Sequence, residues 1–123
     1  MISFYIIRHG ETLLNSLNRA QGWSDSPLTG NGEKTAKELG IKLKNITFSA
    51  AYTSDMLRAE QTAKLILSTK GNDDIKIQKD MRLREWCLGS MDAEHNTTFI
   101  QVVSDWLGGV TSFAELNRRL PDV

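Results

Sequence analysis

The sequence predicts an α/β fold: a three-layer α/β/α sandwich around a mainly parallel sheet. Three observations carry that prediction. Short runs rich in β-branched and aromatic residues alternate along the chain with amphipathic helical patterns, the order expected of βαβ units. The first run, Ser3 to Ile7, is continuously apolar, as a strand covered on both faces of a parallel sheet would be. The length, 123 residues and 13.8 kDa, suits one domain spanning residues 1–123.

The elements follow in order. After the first predicted strand, the stretch from Arg8 to Asn31 is polar and glycine-rich, with a turn at Asp25-Ser26-Pro27, where proline fixes φ and Asp25 can bond nearby amides. Thr29 is placed to cap the next helix, with Glu33 acidic in its first turn and Ala36, Leu39 and Leu43 at helical spacing. Phe48 to Thr53 reads as a second strand. Asp55 to Ser68 reads as a helix with a stripe of Met56, Ala59, Ala63, Ile66 and Leu67. Gly71, free to take a positive φ, ends it. Ile75-Lys76-Ile77 alternates like a short strand. Thr97 to Leu107 and Ser112 to Leu120 carry two further helical patterns, separated by Gly108-Gly109 and stopped by Pro121. Trp86, Trp106 and the methionines read as core, and Cys87 as a buried thiol.

Lysine plus arginine and aspartate plus glutamate are both 15, so the net charge is zero and gives no global attraction to nucleic acid or an anionic membrane. No apolar stretch is long enough to span a bilayer, and the N-terminal run meets Arg8-His9 without a basic leader or a small-residue cleavage site. A single cysteine excludes an intrachain disulfide and a cysteine-rich zinc site, and the expected compartment is a reducing cytoplasm.

Chemistry concentrates after the predicted strands, where open α/β sheets bind ligands. Arg8-His9-Gly10 follows the first. A neutral histidine fixed in one tautomer can act as a nucleophile, and an adjacent arginine lowers its pKa while offering a planar fork to phosphate oxygens. Gly10 removes a side chain where a ligand could approach. Arg58 falls in the first turn of a helix that starts beyond the second strand, the end of a helix that favours anions, although an ordinary surface pair with Asp55 or Glu60 would also account for it. Glu85, in Arg82-Leu83-Arg84-Glu85-Trp86, is either desolvated by Trp86 and poised as an acid, or solvated between arginines.

Arg8-His9-Gly10-Glu11-Thr12 resembles the signature of the histidine phosphatase superfamily, the phosphoglycerate mutase-like proteins. Asn15 and Asn18-Arg19 are similar to that family's next polar positions. So are Gln21-Gly22 through Pro27-Leu28-Thr29 and Gly32, then Ser54-Asp55 with Arg58-Ala59-x-Gln61-Thr62-Ala63, then Arg82-Leu83-x-Glu85 with Gly89. Four ordered blocks are far more specific than one motif. The resemblance implies His9 as the nucleophile that becomes phosphohistidine and Glu85 as the acid that protonates the leaving group. It implies Arg8, Arg58 and Asn15 as phosphate ligands and Gln21 and Gly22 at the substrate mouth. It implies no metal and no cofactor, since arginines supply the charge neutralisation, and a small phosphorylated metabolite as substrate.

The family also has a second essential histidine, in a Ser-His-Gly or Gly-His-Gly context at the end of a later strand. His95 has no such context and reads as an exposed loop residue, and Gly108 to Phe113 resembles the glycine-rich lead-in to the helix before that strand. The expectation is therefore a domain cut short before a central strand, with a second copy of the chain covering the gap as a homo-oligomer. The expected function is a metal-independent phosphomonoester phosphatase or mutase, phosphatase favoured by Gln21-Gly22, Pro27-Leu28-Thr29 and the short stretch after the glutamate motif. The alternative is a phosphate-binding remnant without turnover.

Overall fold

The computed structural model describes residues 1–72, 74–97 and 101. The helical patterns expected at 97–107 and 112–120, Trp106 and the glycine-rich lead-in at 108–113 lie almost wholly outside the described residues.

The element order is α1 (Leu13–Ser16), α2 (Gly30–Lys42), β1 (Ala51–Thr53), α3 (Leu57–Lys70) and β2 (Ile77–Lys79). Single 3-10 turns follow at Met81–Leu83 and Gly89–Met91. Strands β1 and β2 are parallel, with Ala51 opposite Ile77 and Thr53 opposite Lys79, and α3 is their crossover. The fold is thus α/β with a parallel sheet, as the alternation of patterns requires.

The helices start and stop where local chemistry dictates. Thr29 caps α2, its Oγ1 accepting the Gly32 N–H at 3.1 Å, and Glu33 sits in the first turn. Gly71 ends α3 at φ 82°, and its amide returns to the Ser68 carbonyl. Helices α2 and α3 lie against each other through a glycine contact: a Cβ on Gly40 would meet the Ile66 carbonyl oxygen at 2.7 Å. Among the described residues the buried apolar set is Ala20, Leu28, Ala36, Met56, Ile66 and Leu67.

Several expectations are corrected. Ser3 to Ile7 forms no strand: its backbone makes no ladder bond among the described residues, and Phe4 and Ile6 are 84% and 97% exposed. An apolar run becomes a strand only where another backbone accepts its hydrogen bonds, and here only Tyr5 makes a ring contact, edge-on to Phe48 at 5.3 Å. The second strand is confined to Ala51–Thr53, and the third is two residues later than expected. Cys87 is exposed and Trp86 half-exposed, because the segment they occupy is loop and 3-10 turn that lies on the surface. Met81 is likewise exposed, whereas Met56 is core. Among the described residues no helix is long and apolar enough to cross a membrane.

Candidate active site

The sequence blocks converge because the polar segment 8–29 is laced to itself and to α3. Thr12, fully buried, caps α1 in a reciprocal box with Asn15: its Oγ1 accepts the Asn15 amide, and Asn15 Oδ1 accepts the Thr12 amide. The Leu13 amide donates to the Pro27 carbonyl and the Thr29 amide to the Glu11 carbonyl, each near 3 Å. Leu28 donates its amide to Gln61 Oε1 at 3.0 Å, tying the Pro27-Leu28-Thr29 segment to α3.

His9 sits half-buried at the end of the N-terminal segment. Its Nδ1 stands 2.7 Å from the Gly10 carbonyl oxygen. A carbonyl can only accept, so Nδ1 carries the proton and Nε2 keeps its lone pair for a ligand. Burial pushes the His9 pKa below its usual value. The positive charges of Arg58 and Arg8 lower it further, against an opposing push from the Gly10 hydrogen bond and from Asp25. The net effect favours the neutral imidazole.

Gly10 is a glycine for a different reason from the one its sequence suggests. A Cβ there would meet the Gly32 carbonyl oxygen at 2.7 Å, so the vacated space is filled by the first turn of α2 and not by a ligand. A Cβ on Gly32 would stand 2.1 Å from the Glu11 carbonyl oxygen. Two backbones meet at this point.

Arg58 is 3% exposed. Its Nη1 donates to the Ser24 carbonyl at 2.8 Å and to Asp25 Oδ1 at 3.3 Å, and its Nη2 donates to the Gly22 carbonyl at 2.8 Å. Neither surface partner suggested by the sequence is used: Asp55 is held by Arg84 in a two-pronged pair, and Glu60 by Lys64 and Lys79. Among the described residues the Arg58 Nε–H makes no hydrogen bond. Asp25 completes the arrangement. Met56, the N-cap of α3, has no side-chain bond of its own, and Asp25 Oδ2 accepts the Leu57 amide at 2.5 Å instead.

Arg8, His9, Asn15, Gln21, Gly22, Arg58 and Glu85 all line one open groove of about 1810 Å³, and Arg8, His9 and Asn15 also line a smaller recess beside it. Gln21 and Gly22 are buried residues of the groove wall. Gln21 Oε1 accepts the Ser26 hydroxyl, and Gly22, at φ 52°, leaves no room for a side chain beside Asp92. Asn15 spends its Oδ1 on Thr12, which leaves its NH2 end for donation. Glu85 is exposed, with Oε1 accepting the Trp86 amide at 3.0 Å, and the half-exposed Trp86 does not enclose it. His95 is an exposed residue whose backbone bridges Arg19. The sequence blocks contained Asp25, Gly32 and Thr62 without revealing what they do. A carboxylate beside a capless helix start, and glycines on two segments that must touch, are the signals that point to the first two.

The molecule is thus an α/β protein in which a histidine, two arginines and an asparagine line one groove. Comparison with known proteins gives the family. The profile of the histidine phosphatase superfamily (branch 1) matches residues 4–119, and the chain belongs to that superfamily. It is 34% identical over 122 residues to a Citrobacter koseri protein named probable phosphoglycerate mutase GpmB, covering 99% of this chain and 55% of that protein. A phosphoglycerate mutase structure from Bacillus anthracis superposes with TM-score 0.81 at 41% identity, over 89% of this chain and 48% of that one. The α-ribazole phosphatase of Shigella flexneri superposes with TM-score 0.72 at 26% identity, over 92% of this chain and 60% of that one. The chain spans about half the length of the curated relatives it matches.

Proposed function

We propose that this chain carries the phosphoryl-accepting half of a metal-independent phosphomonoester phosphatase that works through a phosphohistidine on His9. The observation that carries the reading is the pairing of a His9 imidazole locked as the Nδ1–H tautomer with an Arg58 guanidinium buried and held by two carbonyls and Asp25. The steps follow from those groups. Arg58 Nε–H, Arg8 and the Asn15 amide neutralise and orient the equatorial phosphate oxygens. His9 Nε2 attacks phosphorus, the ester P–O bond breaks, and Glu85 gives the departing oxygen its proton. Water then adds to the phosphohistidine, its proton returning through Glu85, to release inorganic phosphate and neutral His9. The Gly10 carbonyl holds Nδ1–H throughout, stabilising the charge that develops on the ring. The substrate is a small phosphorylated metabolite. Phosphatase is preferred to mutase on Gln21-Gly22 and Pro27-Leu28-Thr29, and a cytoplasmic setting on the lone cysteine.

The test is hydrolysis of an aryl phosphate by the chain and by His9→Ala. Turnover that disappears in the variant is expected, and equal rates would remove His9 as nucleophile. The exposure of Glu85 favours a second reading, in which the chain binds phosphate without turnover. Calorimetry with inorganic phosphate separates the two. The exposed apolar segment from Ile2 to Ile6 supports self-association of the chain, which light scattering at micromolar concentration would detect.

A further inference from the structure

Thr62 is 5% exposed at the second turn of α3, and its hydroxyl joins two parts of the site that are far apart in sequence. It accepts the Gly10 amide at 3.0 Å and donates to the Arg58 carbonyl at 2.8 Å. The second bond alone would be the ordinary return of a helical threonine to the carbonyl four residues back. The first is not: it crosses 52 positions of chain and fixes the residue whose carbonyl holds His9 Nδ1. Because the hydroxyl proton is committed to Arg58, an oxygen lone pair is left for the Gly10 N–H, and one atom thereby fixes the spacing of the histidine turn and the arginine turn. Two neighbours among the described residues offer no substitute. Gln61 is spent on Leu28, and the opposite face of Gly10 is closed by Gly32.

We propose that Thr62 is a positioning residue, whose hydroxyl couples the His9–Gly10 turn to the Arg58 turn and so keeps nucleophile and phosphate ligand in register. The proposal deepens the reading of His9 and Arg58 given above and rests on it.

The test uses Thr62→Val, which keeps the shape and removes the hydroxyl, and Thr62→Ser, which keeps the hydroxyl. Thr62→Ala removes the same hydroxyl without setting a methyl against the Gly10 amide, in case the valine variant does not fold. Two quantities are read on chains confirmed folded by circular dichroism. One is the NMR titration of the His9 imidazole, assigned with His95→Gln, in a buffer free of phosphate. The other is the affinity for inorganic phosphate. His9 is faced by Arg8, Arg58 and Asp25. Release of its turn into water would raise its midpoint toward the ordinary value of about 6.5 and weaken phosphate binding by about tenfold. Thr62→Ser would match the parent in both. An unchanged His9 midpoint and unchanged affinity in the folded valine or alanine variant would overturn the proposal, as would a serine variant as impaired as valine. A parent chain that binds no phosphate, with a His9 midpoint that still responds to Thr62→Val, refutes the phosphate reading and upholds the coupling.

Discussion

Two glycines of one helix turn make opposite predictions. Gly30 opens α2 with no atom within 4 Å of where its Cβ would stand. Gly32, two residues on, would place its Cβ 2.1 Å from the Glu11 carbonyl oxygen, 2.8 Å from the Glu11 nitrogen and 3.0 Å from the Glu11 carbonyl carbon. All three are backbone atoms, so no side-chain rotation relieves the clash. Either α2 backs away or the Gly10–Glu11 backbone moves, and the latter carries His9 with it. Alanine gains up to about 1 kcal/mol over glycine in a helix, whereas forcing a methyl into a filled site costs about 1–3 kcal/mol. With rigid backbone on the other side, the upper end applies, and Gly32→Ala should lose about 2 kcal/mol net. Gly30→Ala should be neutral or gain up to about 1 kcal/mol. At roughly 4 °C per kcal/mol for a chain of this size, Gly32→Ala should melt about 8 °C below the parent and Gly30→Ala at or slightly above it. Thermal denaturation followed by circular dichroism reads both. If Gly32→Ala melts at or above the parent, or the two variants shift alike, the close approach of the two backbones is wrong.

Further outcomes follow from the same site. Asp25→Ala removes the acceptor for the Leu57 amide and one partner of the buried Arg58, and should lower stability by about 2 kcal/mol in urea titrations. Asp25→Asn, which keeps an acceptor oxygen, should lose less than half as much, and equal losses would show that charge alone matters. The lowered His9 pKa makes stability depend on pH with a definite sign. Between about 6.5 and the folded value, the unfolded chain binds more protons than the native one, so stability is full above about pH 6.5 and falls as pH falls. Urea midpoints at pH 7.5, 6.5 and 5.5 should decline in the parent and decline less in His9→Ala, and a parent with no decline would contradict the buried neutral imidazole. Cys87 should react with a thiol reagent at native-chain rates, and protection until unfolding would contradict its exposure.

What the sequence revealed depended on how local each feature is. Helix α2 was legible because Thr29, Glu33 and the apolar spacing lie within one segment, and the end of α3 was legible in Gly71. Its start fell two residues later than expected, since the carboxylate that accepts the first amide is Asp25, remote in sequence. The third strand slid from Ile75–Ile77 to Ile77–Lys79, a two-residue shift that a two-residue period cannot detect because every side chain keeps its face. Ser3 to Ile7 has the composition of a strand but not a ladder, since pairing belongs to a partner and not to the run itself. The buried face of α3 was the most deceptive. Arg58 and Thr62 look like solvent-facing positions in any hydropathy pattern, yet they are buried with Ile66 and Leu67. The carbonyls of Gly22 and Ser24 that make an arginine tolerable there come from a loop more than thirty residues away.

That polar face explains why the motif residues are spaced as they are. Within five residues of α3, Arg58 extends its guanidinium to the 22–25 loop, Gln61 takes the Leu28 amide, and Thr62 takes the Gly10 amide. Three separate stretches of the N-terminal segment are thus hydrogen-bonded to consecutive turns of one helix, while among the described residues Glu85 is bonded at the surface: its carbonyl accepts Trp23 Nε1–H, and its carboxylate accepts the next amide. The groups proposed to hold the anion and the one proposed to give the proton therefore rest on differently bonded supports. Loosening the 84–92 loop should impair departure of the alcohol while leaving phosphate binding intact, whereas loosening the first two turns of α3 should impair both.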